Sequence, residues 1–190
     1  MAAAVLAVSL AFVGYLATYL NGLRLAQRQE RLSRVNRQLA EFYGPLLALT
    51  QSNRRIFEEF SRRHQRPDGR SPFRGEAELT AEESAEWRLW FTAVFMPNIR
   101  AVRDVVVGKA DLLIEASMPP VLLDLCAHVS GYEIAVEQWR QGDHTRNGSV
   151  IAYPAAELHR YAEASFARLK LQQTVLLGAG RRERRTAGTV

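Results

Sequence analysis

Apolar positions along this chain fall into three regimes. The first is a solid run: Ala2 to Leu20 are 19 residues without a charge. A helix of that length rises about 28 Å, close to the thickness of a hydrocarbon core of about 30 Å. A cleaved secretory signal fits the run less well. Such a signal wants a basic leader, an apolar stretch of about 7–15 residues and a small-x-small cleavage site. No Lys or Arg precedes this run, and it closes on Ala17-Thr18-Tyr19-Leu20. Residues 2–20 are therefore predicted to form a transmembrane anchor, with Tyr15 and Tyr19 at interfacial depth.

The second regime is a heptad. Counting Leu25 as position a, the a and d positions as far as Phe60 are apolar in nine cases of eleven, in a chain that is 47% hydrophobic overall. Arg28 and Asn53 are the two polar members. Run backwards into the anchor, the same register picks out Ala4, Ala7, Ala11, Gly14, Thr18 and Asn21, all small or polar. Small residues let helix backbones approach closely in lipid. The stripe Ala7, Ala11, Gly14, Thr18, Leu25, Leu32, Val35 and Leu39 is thus expected to mediate self-association. The alternative is an Ala-rich anchor followed by an amphipathic helix packed on its own domain, because periods of 3.5 and 3.6 do not separate over so few turns. Gly44-Pro45 is expected to kink or break the helix, which limits a free coiled coil to about Tyr43 and leaves residues 21–43 as a juxtamembrane helix.

The third regime is a series of helical stripes punctuated by Pro and Gly. Gln65 to Leu79 holds two prolines and two glycines and reads as a long loop in which Phe73 is the residue to pack back. Thr80-Ala81-Glu82-Glu83 is a capping box, opening a helix with Trp87, Trp90, Phe91, Val94 and Phe95. Pro97 is expected to end or kink it. A helix from about Asn98 to Val107 and a short piece near Asp111 follow. Pro119-Pro120 starts a helix with the stripe Leu122, Leu125, Val129, Tyr132, Val136 and Trp139. After a second loop, Pro154 opens the last helix, with a stop expected near Gly178. The predicted fold is all-α: the anchor, then a helical bundle of five to seven helices over residues 45–178, then a basic disordered tail, 179–190.

Charge sharpens this picture. The net +5 is unevenly spread: residues 21–41 carry +3, residues 42–74 carry +4 and the tail from Arg181 carries +3, leaving −5 on residues 75–180. Arg24, Arg28, Arg31, Arg34 and Arg37 follow the apolar run directly. By the positive-inside rule the body is then cytoplasmic, at a bacterial inner membrane, and these arginines lie at the lipid surface. A lone Cys126 agrees, since one cysteine makes no intrachain disulfide. Topology and anionic lipid account for the basic residues better than nucleic acid does. Arg outnumbers Lys by 23 to 2, the mark of a GC-rich coding bias.

Chemistry-bearing motifs are sparse. Asp124 and His128 are spaced to share a helix face, and His159 with Glu163 on the last helix is a possible complement for a metal. Neither Cys-x-x-Cys nor His-Glu-x-x-His occurs, and no glycine-rich phosphate loop follows a strand. No catalytic residue and no cofactor is implied. The sequence reads as a single-pass, membrane-anchored, non-enzymatic interaction or assembly protein, with a second copy or another protein as partner. The alternative is a membrane-bound enzyme or metal-dependent sensor with its site around Asp124, His128 and His159.

Overall fold

Two of the seven prolines of this chain, Pro45 and Pro97, sit inside a continuous helical path. The computed structural model describes residues 1–74, 78–145, 148–149 and 151–187, without the side chains of residues 2–5, 8 and 179–187. Its helices are α1 (Ala2–Arg37), α2 (Gly44–Arg63), α3 (Ala81–Trp90), α4 (Met96–Gly108), α5 (Pro120–Arg140) and α6 (Ala155–Ala187). Short 3-10 turns occupy Pro72–Arg74 and Ala110–Leu112. No strand occurs among the described residues, so the chain is all-α.

Two π-helical turns, Gln38–Tyr43 and Phe91–Phe95, fill the gaps between α1 and α2 and between α3 and α4. Each ends just before a proline in the first turn of the next helix, Pro45 in α2 and Pro97 in α4. A proline has no N–H to give the carbonyl four residues back, and its ring collides with it. The wider π turn moves that carbonyl aside, and the helical path continues where a break was expected. Gly44 completes the first junction: a Cβ there would stand 2.4 Å from the Leu39 carbonyl oxygen.

The chain divides into two compact units, Gln38–Arg168 and Met1–Arg37 with Leu169–Val190. In the first, α4 packs against both α2 and α5. Its core joins Phe42, Tyr43, Leu46 and Phe60 to Met96, Ile99, Val102 and Val106 of α4, to Leu122, Leu125, Val129 and Val136 of α5, and to Leu158 and Ala162 of α6. The predicted α5 stripe is buried along its whole length. The irregular stretch before α5 is pinned by polar contacts. Gln38 donates to the Leu112 carbonyl at 2.9 Å, and the Tyr43 and Tyr161 hydroxyls reach Glu115 Oε2 at 3.2 and 3.1 Å.

The capping box forms as the sequence requires. Glu83 N–H donates to Thr80 Oγ1 at 3.1 Å, and Thr80 N–H donates to Glu83 Oε2 at 2.8 Å. Arg66 adds a two-pronged contact to the same carboxylate at 2.8 and 2.6 Å, tying the 64–80 loop to the start of α3. The guanidinium and the cap together pull the Glu83 carboxyl down to about 2.

In the second unit, Gln173 donates to Asn36 Oδ1 at 2.7 Å, and the Arg28 guanidinium donates through Nε to the Leu176 carbonyl at 3.0 Å. These contacts join α1 to the distal part of α6. Gly178 does not terminate α6, whose helical backbone is described as far as Ala187. Positive φ, which makes a glycine a helix stop, is found instead at Gly69 and Gly142. Along α1, Leu6, Leu10, Phe12, Val13, Leu16, Leu20 and Leu23 are exposed. Among the described residues no helix is long and apolar enough to cross a membrane. The side chains of residues 2–5 and 8, at the head of the uncharged run, lie outside those described.

Candidate functional site

Within the unit Gln38–Arg168, the helices leave a cavity of about 590 Å³, bordered by α2, α3, the second π turn, α5, the segment before α6 and the first turns of α6. Its walls are aromatic. Phe91 stacks on Tyr132 with ring centres 3.8 Å apart, and Phe73 stacks on Trp87 at 5.8 Å. His128 lies between Tyr132 and Tyr153, at 4.9 and 5.1 Å. Phe57 and Phe95 add to the wall in an edge contact at 6.1 Å. Phe73 packs back from the loop against Phe60 at 4.6 Å, as its isolation among polar neighbours predicted.

A few polar groups interrupt this surface. His128 is buried and donates through Nδ1–H to the Ile151 carbonyl at 2.5 Å. That bond fixes the tautomer and leaves Nε2 as an acceptor. Burial lowers the His128 pKa below the ordinary histidine value, partly offset by the Ile151 carbonyl, so the ring is neutral at pH 7. Asn53 of α2 is 5% exposed, and neither Oδ1 nor Nδ2 has a hydrogen-bond partner among the described residues. Burial pushes the Tyr153 hydroxyl up to about 12, an effect moderated by the nearby Asn53 amide, although no hydrogen bond of ordinary geometry joins the two. His159 Nδ1 is likewise buried without a partner, while its Nε2 stands 3.8 Å from Glu163. Arg54 and Arg160 line the cavity with their helices' exposed faces. Arg54 is engaged by Glu58 at 2.8 Å.

The structure therefore brings His128 and His159 to one cavity, but it leaves Asp124 on the exposed face of α5. No group of three His, Cys, Asp or Glu side chains suited to a metal occurs among the described residues. Cys126 is half-buried, and that burial raises its thiol pKa, so it is not a thiolate at neutral pH. Arg100 pairs with Glu133 of α5 at 2.5 Å and Lys109 with Glu41 at 2.7 Å, while Arg103 pairs with its helical neighbour Asp104 at 3.1 Å. Asn53 is the residue that sequence reasoning passed over. Its signal was present as a polar break at a core position of an apolar stripe.

The other predicted residues lie away from the cavity. Arg24, Arg31, Arg34 and Arg37 are exposed, and Arg28 is half-buried against α6. Of the self-association stripe, Ala7, Ala11, Gly14, Thr18 and Leu25 face outward, Leu32 is half-buried, and Val35 and Leu39 are buried within the single chain. Thr18 donates its hydroxyl to the Gly14 carbonyl at 2.9 Å. No family model, curated protein or solved structure matches this chain.

Proposed function

We propose that this chain is a single-pass membrane protein that holds a non-enzymatic helical binding module at the inner face of a bacterial plasma membrane. The observation that carries this reading is the bare apolar surface of α1. Between Leu6 and Leu23 the large side chains that are described stand exposed in the chain, and five arginines begin directly after that stretch. Each Leu, Val or Phe gains about 1.5–3 kcal/mol on leaving water, so a helix with this surface needs an apolar surrounding. A bilayer supplies it: counted with its residues 2–5 and 8, whose side chains lie outside those described, the uncharged run of 19 residues has the length to span one. The arginine collar then marks the cytoplasmic side.

Membrane fractionation tests the anchor. The full chain should remain in the membrane pellet through an alkaline carbonate wash, and a chain lacking residues 2–20 should be released. Release of the full chain by carbonate overturns the anchor. Trypsin added to intact spheroplasts should spare the Arg-rich loop, and permeabilisation should expose it; cleavage in intact cells reverses the orientation.

Binding by the body is supported by the cavity, whose size falls in the range of small-molecule sites and whose walls combine aromatic surface with a few polar groups. Self-association is a further part of the reading. It runs through Ala7, Ala11, Gly14, Thr18 and Leu25, the members of the stripe that face outward.

A further inference from the structure

We propose that the aromatic cavity binds an aromatic monocarboxylate, its ring system among the aromatic walls and its carboxylate at the mouth against Arg160. The inference rests on the cavity being the binding site of the module and adds the chemistry of its occupant. The charge of the lining is one-sided: among the described residues it holds two arginines and no Asp or Glu. Both arginines are exposed, so they stand where the cavity meets solvent. Arg54, from α2, is held by Glu58 at 2.8 Å, an acid outside the lining. Arg160, from α6, has no hydrogen bond or ion pair among the described residues. Its guanidinium offers a planar fork of donors that matches a carboxylate, and Arg54 adds to the positive field.

The rest of the lining says where the charge of the occupant must lie. Its buried members, among them Phe91, Phe95, Ile99 and Tyr132 with a neutral His128, carry no charge that would repay an ion for its lost water. They take an apolar body, and the ion stays at the mouth. Aromatic walls meet a flat ring system in offset or edge contacts, and about 590 Å³ accommodates two fused rings. An uncharged ring would fill the same volume and leave Arg160 unused. A cation would meet two arginines and no counter-charge. A doubly charged phosphate would call for more than one unengaged guanidinium.

The test uses the full chain in phosphatidylcholine nanodiscs, titrated calorimetrically with three probes of one shape: 2-naphthoate, 2-naphthamide and 2-naphthylmethylammonium. The heat of protein-free nanodiscs is subtracted. The carboxylate should bind saturably with one site per chain, roughly fivefold more tightly than the amide, the size of one charge-assisted pair at a solvated rim. The ammonium should bind weakest. Arg160→Gln should erase the preference for carboxylate over amide and leave the affinity for the amide unchanged. Arg168→Gln makes the same charge change on an exposed position of α6 outside the lining, and should preserve the preference. The comparison of the three probes needs no variant. Equal affinity for all three overturns the anionic occupant and leaves the cavity a binding site. Equal loss of preference in both glutamine variants assigns the effect to overall charge and overturns the role of Arg160. Absence of binding by every probe overturns both readings.

Discussion

Asn53 and Gly44 each break a local rule of helix composition, and only Gly44 is explained by a neighbour. The stripe Leu46, Leu49, Ile56 and Phe60 gives α2 an apolar face, and Asn53 stands in it at a core position with its amide unbonded. Leucine has nearly the same volume. Without ligand, Asn53→Leu should stabilise the protein by about 1–3 kcal/mol, the cost of an unsatisfied buried polar group. At roughly 2–4 °C per kcal/mol for a chain of this size, the rise is measurable by thermal denaturation. A fall in Tm would mean that the amide already has a partner. Gly44 answers to the backbone. A methyl group there meets the Leu39 carbonyl oxygen at 2.4 Å, so Gly44→Ala must displace backbone, at about 1–3 kcal/mol. At Gly108 an added Cβ meets nothing within 4 Å, and Gly108→Ala should stabilise by up to about 1 kcal/mol. Urea midpoints of the two variants should move in opposite directions; a shared direction removes the π junction as the reason for Gly44.

Helix identities were legible from sequence where a stripe and a cap coincide. The Thr80 box, the Pro119-Pro120 start and the buried stripe of α5 follow from period and chemistry alone. The π turns were not legible. Proline signals a conflict with the carbonyl behind it, and sequence does not say whether the chain breaks or widens to accommodate it. The stop expected near Gly178 failed for a related reason, since glycine ends a helix by adopting positive φ and Gly178 stays helical. The cavity was half legible. Its aromatic residues were visible as helical faces, but their convergence with Asn53, His128 and His159 depends on tertiary packing. The loop after α2 yields a prediction at this scale. Its tether to α3 is the Arg66–Glu83 pair, and Glu83 also closes the cap. Because the folded carboxyl titrates at about 2, below its ordinary 4.5, the stabilisation is fully present above about pH 4.5 and is lost as pH falls through about 2. Glu83→Ala should reproduce at neutral pH what acid does to the wild type. Limited trypsin digestion should cut after Arg70 and Arg74 several-fold faster in the variant, and unchanged rates would show that the loop is held elsewhere.

For the whole molecule, the decisive question is what occupies the bare face of α1. Gly14 costs its helix about 0.5–1 kcal/mol relative to alanine, and an added Cβ there meets nothing within 4 Å of the chain. Among the described residues, no intramolecular contact therefore requires a glycine at that position. A second copy of the helix does, if the backbones approach closely in lipid along Ala7, Ala11, Gly14 and Thr18. Val35 and Leu39 give the internal contrast, since they belong to the same heptad register yet are buried within one chain. Substitutions in the register should thus separate into two kinds. Gly14→Leu and Ala11→Leu should leave thermal stability near wild type and shift the native mass of the gently solubilised protein from a discrete assembly toward monomer. Leu39→Ala should do the reverse, lowering stability by about 2–5 kcal/mol through the cavity it leaves. Gly14→Ala discriminates further. It should strengthen the isolated helix and weaken association, so that stability and oligomer population move in opposite directions. An unchanged mass in both leucine variants would remove the close helix contact and leave the lipid alone as the partner of α1.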